Sequence, residues 1–116
     1  WANVLTKNFS RVEFLVEADD FVDGLDEKSR TKLLYLIRKA QLVKDKELFK
    51  PLKDEIWEFR SIYSKKKFRL YAFWDKTDKQ DTLIIATHGI IKKTQKTPKR
   101  EIEKAKRIRR AYFNSK

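Results

Sequence analysis

The spacing of apolar residues changes near residue 50, and this change constrains the fold more than any other feature of the chain. From Asp19 to about Val43, apolar residues recur at the intervals of an amphipathic helix. Beyond them, segments 56–63, 68–75 and 82–89 are rich in β-branched and aromatic residues and are separated by polar turns, which is typical of strands. The pattern predicts an α+β fold in which helices precede a run of strands that are neighbours in sequence.

Signals at the ends of these segments complete the predicted order of elements. The segment Phe9–Val16 favours a first strand, and Gly24 with Asp26 divides the helical region into a short helix and a longer one capped by Asp26. Thr97 is the predicted N-cap of a closing helix, with Pro98 at its first position. The predicted architecture is β-α-α-β-β-β-α, an antiparallel sheet of about four strands with a helical hairpin on one face.

The first hairpin determines which side chains share a face of the sheet. A four-residue turn after Tyr63 pairs Tyr63 with Phe68, and in this register Arg60 and Arg69 leave the same face and converge diagonally. The opposite, mostly apolar face is predicted to form the core, with Trp57, Phe59 and Trp74. The parity of the third strand stays open, so that His88 lies on the arginine face in one register and on the core face in the other.

The charge balance of the chain predicts a polyanionic partner. Lys and Arg number 29 against 17 Asp and Glu, a net charge of +12 over 116 residues, and such an excess destabilises a compact state by self-repulsion. Nucleic acid is the favoured partner. An anionic membrane surface is the lesser alternative, because no segment has the pattern of a continuous basic amphipathic helix with a large aromatic face. The cations are densest after the last strand, where Lys92, Lys93 and Lys96 precede the next acid, Glu101.

The residue types that are missing narrow the chemistry. Cysteine is absent, which excludes disulfides and thiolate catalysis, and a single histidine excludes a multi-histidine metal site. We therefore expect no metal and no cofactor. No stretch approaches the ~20 apolar residues of a membrane span, and we expect a cytoplasmic protein without membrane contact. The length suits one domain, residues 1–116.

Three segments of the second half resemble motifs of a known protein family. Residues 52–60, LKDEIWEFR, are similar to the LKG…LWELR stretch of the RelE/HigB superfamily of bacterial toxins, and residues 68–73, FRLYAF, are similar to its YRvfY strand. The run His88–Pro98, HGIIKKTQKTP, resembles its HGFxKKTxKTP signature and points to the HigB-like branch. Asp54 and Glu55 depart from the pattern, which usually has small residues at these positions.

The resemblance implies a RelE-like microbial ribonuclease fold and a role as the toxin of a type II toxin–antitoxin pair. Many toxins of this superfamily cleave mRNA on the translating ribosome. A small antitoxin, often with a helix-turn-helix domain, neutralises the toxin, and the pair represses its own operon. The implied partners are mRNA, the ribosome and a cognate antitoxin, with operator DNA bound only through the antitoxin.

Carried over by position, the superfamily's cleavage residues match Arg60, Arg69 and the pair Lys92 and Lys93. Metal-free cleavage uses the neighbouring 2′-hydroxyl as nucleophile, and guanidinium groups suit the phosphorane because they fork onto two phosphate oxygens and stay charged. A crowded lysine can have a lowered pKa, so Lys92 or Lys93 can carry a proton. Further residues predicted to bind RNA are Lys53, Lys65, Lys66, Lys67, Tyr71 and Lys96.

Glu58 and His88 are the other candidates for general acid or base. Structural interpretations stand beside these roles: Arg60 and Arg69 can form a solvated strand face paired with Glu58, the lysines can guard a strand end, and His88 can be a structural residue beside a turn. The nuclease hypothesis requires both arginines on one face and free of carboxylates in a closed pocket. The alternatives are a non-catalytic RNA- or ribosome-binding module and an inactive homologue that acts only in a repressor complex with an antitoxin.

Overall fold

The computed structural model describes residues 11–78, 83–93 and 97–116. In these ranges the chain forms five strands and three helices: β1 (Arg11–Phe14), α1 (Val16–Asp23), α2 (Glu27–Leu42), β2 (Phe49–Pro51), β3 (Trp57–Tyr63), β4 (Lys66–Asp75), β5 (Leu83–Lys92) and α3 (Lys99–Asn114). The α+β class is confirmed, whereas the order of elements differs from the predicted one by the additional strand β2. Of the predicted first strand Phe9–Val16, residues 9 and 10 lie outside the described ranges, and Val16 already belongs to α1. None of these helices is long and apolar enough to cross a membrane.

The strands form one sheet in the order β1-β5-β4-β3-β2. β2, β3, β4 and β5 pair antiparallel in turn, whereas β1 pairs parallel with β5. The prediction of an antiparallel sheet of about four strands is therefore wrong in two respects, the fifth strand and the parallel pair. β1 can run parallel because a long helical connection follows it. β2 is only three residues long and ends with Pro51 at the sheet edge, so it has no period-2 pattern to read.

The hairpin of β3 and β4 has a tighter turn than predicted. Ser64 and Lys65 form a two-residue turn with φ of 53° and 66°, a conformation that matches the twist of the flanking strands. The register therefore differs from the predicted one by two residues, which makes the predicted pairing of Tyr63 wrong and places Arg60 directly opposite Arg69. Because the shift is even, every side chain keeps its predicted face.

A bulge in β5 fixes the parity that the sequence left open. Tyr71 pairs with His88, but the next residue of β4, Ala72, pairs with Ala86, so Thr87 is the extra residue. The bulged Thr87 is fully buried, and its Oγ1 donates to the carbonyl oxygen of Tyr71 at 3.3 Å. His88 consequently lies on the arginine face.

Helices α1 and α2 cover the opposite face and form the larger core. Its buried members are Ala18, Val22, Leu33, Ile37, Phe49, Phe59, Leu70, Ala72, Ile84 and Ala86. Trp57 and Trp74 are partly buried against this cluster, which confirms the predicted core. Full burial of one large apolar side chain contributes about 1.5–3 kcal/mol. This packing fixes the outward direction of the alternate residues on β3 and β4.

Two helix starts were predicted, and one prediction is wrong. Asp26 caps α2 as expected, because its carboxylate accepts hydrogen bonds from the backbone N–H of Ser29 at 3.1 Å and from its Oγ at 2.7 Å. Helix α3 begins one residue later than expected, with Pro98 in the cap position and no side-chain cap. The Thr97 hydroxyl donates instead to the Glu58 carboxylate at 3.3 Å, since a charged acceptor makes the stronger hydrogen bond.

Helix α3 packs on one end of the arginine face. There its Ala105 forms a second buried cluster with four residues of the sheet and the turn before it, Ile56, Tyr71, Phe73 and Ile85. At the end of the chain, Tyr112 Oη and Lys116 Nζ donate to the buried carboxylate of Asp75 at 2.6 and 2.7 Å. The helix is thus fixed where β4 ends, and the two arginines lie toward the start of β4.

Candidate active site

A group of five charged side chains occupies the arginine face away from the end of β4. Arg60 lies opposite Arg69, Lys67 lies opposite Lys92, and Glu58 precedes Arg60 by two residues on the same face. We call Glu58, Arg60, Lys67, Arg69 and Lys92 the charged cluster. Its four cations exceed its single carboxylate by three charges. This excess of positive charge favours an anionic ligand at those cations of the charged cluster that solvent can reach.

Arg69 is the buried arginine of the charged cluster. Its side chain is 3% exposed, and its Nε lies 3.0 Å from Oε1 of Glu58, which is buried to the same extent. The Nε–H is not aligned for a hydrogen bond to that oxygen, whereas Nη1 donates to the carbonyl oxygen of Phe68 at 3.0 Å. Burial lowers the pKa of Arg69 and the charge of Glu58 opposes this shift, but an arginine stays cationic in either case. The two side chains form a buried ion pair.

Because of this ion pair, Arg69 does not meet the condition that both arginines are free of carboxylates in a closed pocket. Both arginines share a face, as predicted, but Arg69 is balanced by a carboxylate in a closed environment. Arg60 meets the condition, because it is only half-buried and no ion pair joins it to a carboxylate of the described residues. Direct contact with a phosphate is therefore favoured for Arg60. A role of Arg69 in cleavage remains a prediction. Because its side chain is buried, this role would be to support Arg60 from below and not to contact the phosphate directly.

Glu58 connects three parts of the fold. It belongs to β3, it pairs with Arg69 of β4, and its two carboxylate oxygens lie 3.3 and 3.5 Å from Oγ1 of Thr97, just before α3. The residue is 2% exposed. A carboxylate held in this way is poorly placed to exchange a proton with a substrate, so the geometry favours a positioning role over the predicted role as acid or base.

The lysines after Ile91 separate into different environments. Lys92 is 7% exposed, and its pKa is lowered, first by burial and further by Arg69, Arg60 and Lys67, while Glu58 opposes the shift. Lys93 follows the end of β5 and is exposed, so it stands outside the charged cluster. Lys96 lies outside the described residues. The environment that a proton-carrying lysine requires is therefore found at Lys92.

His88 connects the sheet to helix α3. Its Nδ1 lies 3.0 Å from Oγ1 of Thr87, and its Nε2 lies 3.0 Å from Oε1 of Glu101 on α3. The residue is 2% exposed, and burial lowers the pKa of His88 against the opposing effect of Glu101. Both ring nitrogens thus have partners within the fold. This geometry favours the structural interpretation over the predicted role as acid or base.

Tyr71 does not offer its ring to RNA. It is fully buried, with its ring centroid 5.0 Å from that of His88, and burial raises the pKa of its hydroxyl, as does the nearby charge of Glu58. The predicted contact of Tyr71 with RNA is therefore wrong, because Tyr71 is buried in the cluster that α3 forms on that part of the face. Its Oη has no hydrogen-bond partner in the described part of the chain.

The remaining predicted RNA contacts differ in their positions. Three of these lysines are exposed: Lys53 in the turn before β3, Lys65 in the turn between β3 and β4, and Lys66 at the start of β4. Lys67 belongs to the charged cluster, which the sequence did not indicate, because a four-residue turn had placed it outside the strand. Knowledge of the two-residue turn would have put Lys67 on the face of Arg69, two residues away.

A cation from the helical hairpin was missed. Lys32 of α2 donates through Nζ to the carbonyl oxygen of Ile62 at the edge of β3. It lines a cleft of about 260 Å³ together with Leu36, Glu47, Arg60, Ser61, Ile62 and Arg69. Lys32 precedes Ile62 by thirty residues in the chain, so no local pattern could have indicated this contact. The cleft gives Arg60 access to solvent.

Across the described residues, no three histidine or acidic side chains form a group that could hold a metal ion.

Comparisons with known proteins place the chain in a family. No curated protein matches the chain. The model of one family, described as phage derived protein Gp49-like (DUF891), matches residues 20–110, which include the whole charged cluster. The chain therefore belongs to the Gp49-like family of phage-derived proteins.

Proposed function

We propose that this protein is the toxin of a toxin–antitoxin pair and that it cleaves mRNA on the translating ribosome. The Gp49-like family is associated with the toxins of such pairs. The observation that carries the proposal is the charged cluster, in which four cations meet around one carboxylate and Arg60 reaches a cleft. The net charge of +12 favours RNA as the substrate.

In the proposed reaction, a ribose 2′-oxygen attacks the adjacent phosphorus, and the bond from that phosphorus to the 5′-oxygen of the next nucleotide breaks. The products are a 2′,3′-cyclic phosphate and a free 5′-hydroxyl. Arg60 donates N–H groups to the non-bridging oxygens, whose charge increases in the phosphorane. Arg69 lies beneath this position as part of the charged cluster, and Glu58 holds Arg69 in place.

The reaction moves two protons, one from the 2′-hydroxyl and one to the 5′-oxygen. Lys92 is the proposed donor of the proton to the 5′-oxygen, because its lowered pKa lets its ammonium group release a proton more readily than an exposed lysine does, and the proton of the 2′-hydroxyl passes to solvent water. Its place opposite Lys67, on the face of Arg60, puts it beside the proposed phosphate position. Lys93 is proposed to contact a neighbouring phosphate.

Mapping of new 5′ ends on an mRNA in a translation extract tests the proposal. Wild-type protein is expected to produce cuts only while ribosomes translate, and Arg60→Ala is expected to remove them. Arg38→Ala is the matched control, since Arg38 is an exposed cation on the side of α2 that faces β1. Absence of cuts with folded wild-type protein contradicts the proposal.

The buried Glu58–Arg69 pair favours a second candidate function, a non-catalytic RNA- or ribosome-binding module. In this case the ion pair only stabilises the sheet, and the other cations only hold RNA. An inactive homologue that acts with an antitoxin as a repressor is a related case. Cleavage of a translated mRNA that Arg60→Ala abolishes separates the toxin from both alternatives, because neither of them cuts RNA.

A further inference from the structure

The edge of β3 continues from the arginine face toward helix α2. Among the described residues, β2 pairs with β3 only across residues 57–59, and the backbone N–H of Arg60 makes one further hydrogen bond, to Leu48. Beyond that point Lys32 reaches the strand edge and donates to the carbonyl oxygen of Ile62. A cation from α2 therefore occupies the edge where a further strand would otherwise pair.

Two clefts meet at Lys32. The first, of about 260 Å³, contains Arg60 of the charged cluster. The second, of about 530 Å³, is lined by Glu27, Lys28, Thr31, Lys32, Tyr35 and Tyr63. Since Lys32 lines both, the clefts adjoin each other and lead from Arg60 around the edge of β3 to the outer side of α2. We call the second cleft the edge groove.

The edge groove combines aromatic rings with cations. Tyr35 is 61% exposed, so its ring is accessible from solvent. Lys32 Nζ lies 6.0 Å from the centroid of the Tyr63 ring, and Lys28 is exposed one turn earlier on α2. Proteins bind single-stranded nucleic acid with this combination, because bases stack on the rings while phosphates contact the cations. Glu27 is the acid at the rim of the groove.

The other flank of α2 has a different character. Its cleft against β1 is lined by Arg11, Val12, Phe14, Leu34, Arg38 and Leu42 among others. Cations are present there too, but the side chains between them are mainly aliphatic and no tyrosine is among the lining residues. The two flanks of one helix therefore form a natural comparison between a groove suited to stacking and one that is only basic.

We propose that the edge groove binds the single-stranded RNA that adjoins the phosphate at Arg60, with one base stacked on Tyr35. The proposal rests on the proposed function, because it describes the path of the same RNA substrate. Lys32 stands where the chain passes from one cleft to the other and contacts the phosphate between them. Tyr35 and Tyr63 accept any base, so the groove contributes affinity and direction and not sequence preference.

Fluorescence anisotropy with a labelled, single-stranded 2′-O-methyl RNA tests the proposal, because this RNA lacks the nucleophile and cannot be cleaved. The wild type is compared with Tyr35→Ala, Tyr35→Phe, Arg60→Ala and the control Arg38→Ala. Tyr35→Ala is expected to weaken binding by about 5-fold to about 100-fold, while Tyr35→Phe keeps the ring and stays within about twofold of the wild type. The exposure of Tyr35 and the high helix propensity of alanine keep the fold intact.

The other outcomes separate this proposal from the proposed function. If Tyr35→Ala binds as the wild type does, the edge groove is overturned, while the charged cluster still stands provided that Arg60→Ala removes cleavage in the translation extract. If the wild type does not bind this RNA, the edge groove is overturned, and the cleavage assay on translating ribosomes decides on the proposed function. An equal loss with Arg38→Ala, or an effect of Tyr35→Ala only on binding of an antitoxin protein, overturns the edge groove as an RNA site.

Discussion

At the scale of single residues, the arginine face pairs one carboxylate with a buried cation and leaves another cation near solvent. Glu58 and Arg69 are each 3% exposed in their side chains, whereas Arg60 is half-buried. Removal of one partner from a buried ion pair leaves an uncompensated charge, which costs far more than the loss of an exposed pair. The stability of the site therefore depends on Glu58, and its chemistry is proposed to depend on Arg60.

Glu58→Gln is expected to lower the free energy of unfolding by about 3–5 kcal/mol, because Arg69 remains buried without its counter-charge. Glu13→Gln is the matched control, since Glu13 pairs with Arg11 at 3.9 Å on an exposed part of β1. It is expected to change the free energy of unfolding by less than about 1 kcal/mol. Urea unfolding measures both. A loss at Glu58 no larger than that at Glu13 contradicts the buried ion pair.

At the scale of elements, two local features can be tested. One is the set of hydrogen bonds that joins the end of α3 to β4, and the other is the backbone conformation of the turn before β3. Helix α3 has one fully buried residue, Ala105, and Ile102, Tyr112 and Phe113 pack partly buried on the same cluster. Asp75 accepts hydrogen bonds from Tyr112, Lys116 and Thr77. The turn before β3 places Asp54 and Glu55 at positive φ, which bulky residues rarely adopt.

Asp75→Asn is expected to lower the free energy of unfolding by about 1.5–3 kcal/mol at pH 7. Burial raises the pKa of Asp75, but the hydrogen bonds from Lys116, Tyr112 and Thr77 outweigh it and hold the pKa far below its ordinary value. A carboxyl group whose pKa is depressed on folding stabilises the fold above its unfolded pKa of about 4, and this contribution is lost as the pH falls toward the folded pKa.

The difference between wild type and Asp75→Asn should therefore shrink as the pH is lowered below about 4. Unfolding curves at a series of pH values measure it. Asp20→Asn, at an exposed position of α1, is the control for the same substitution outside the contact with α3. A constant difference at every pH contradicts the stabilising role of the ionised Asp75 carboxylate.

Glu55→Gly is expected to raise the free energy of unfolding by about 0.5–1 kcal/mol. Glu55 has a φ of 72°, and relief of about 1–2 kcal/mol of strain outweighs the about 0.5–1 kcal/mol of chain entropy that glycine loses on folding. The control, Glu103→Gly within α3, should instead lower the free energy of unfolding by about 1 kcal/mol. Thermal unfolding compares the two, and a destabilised Glu55→Gly variant contradicts the strain.

At the scale of the whole molecule, the features that follow from the alternation of residues along a strand could be predicted from the sequence. The features that depend on contacts between residues far apart in the chain could not. The shared face of Arg60 and Arg69 was predictable, because a register error of two residues preserves the face. The burial of Arg69 was not, since it depends on Glu58 and on Thr97, which follows Glu58 by thirty-nine residues. Neither β2 nor the contact of Lys32 has a local signal.

The net charge of +12 favours RNA binding over the whole surface, independently of the charged cluster. The effect of one cation on the affinity for RNA and its effect on the rate of cleavage are therefore expected to differ. An exposed cation such as Lys66 is expected to contribute mainly to affinity, with its loss reducing the salt slope of binding by about one. A cation that meets the developing charge contributes mainly to rate.

The rate of mRNA cleavage in a single turnover on programmed ribosomes tests the central claim most directly, with binding measured beside it. Arg60→Ala is expected to reduce the rate by about 10²–10³-fold and affinity only slightly, whereas Lys66→Ala should weaken affinity and leave the rate nearly unchanged. Similar small effects of both substitutions on rate and affinity contradict the assignment of Arg60 and the charged cluster to catalysis.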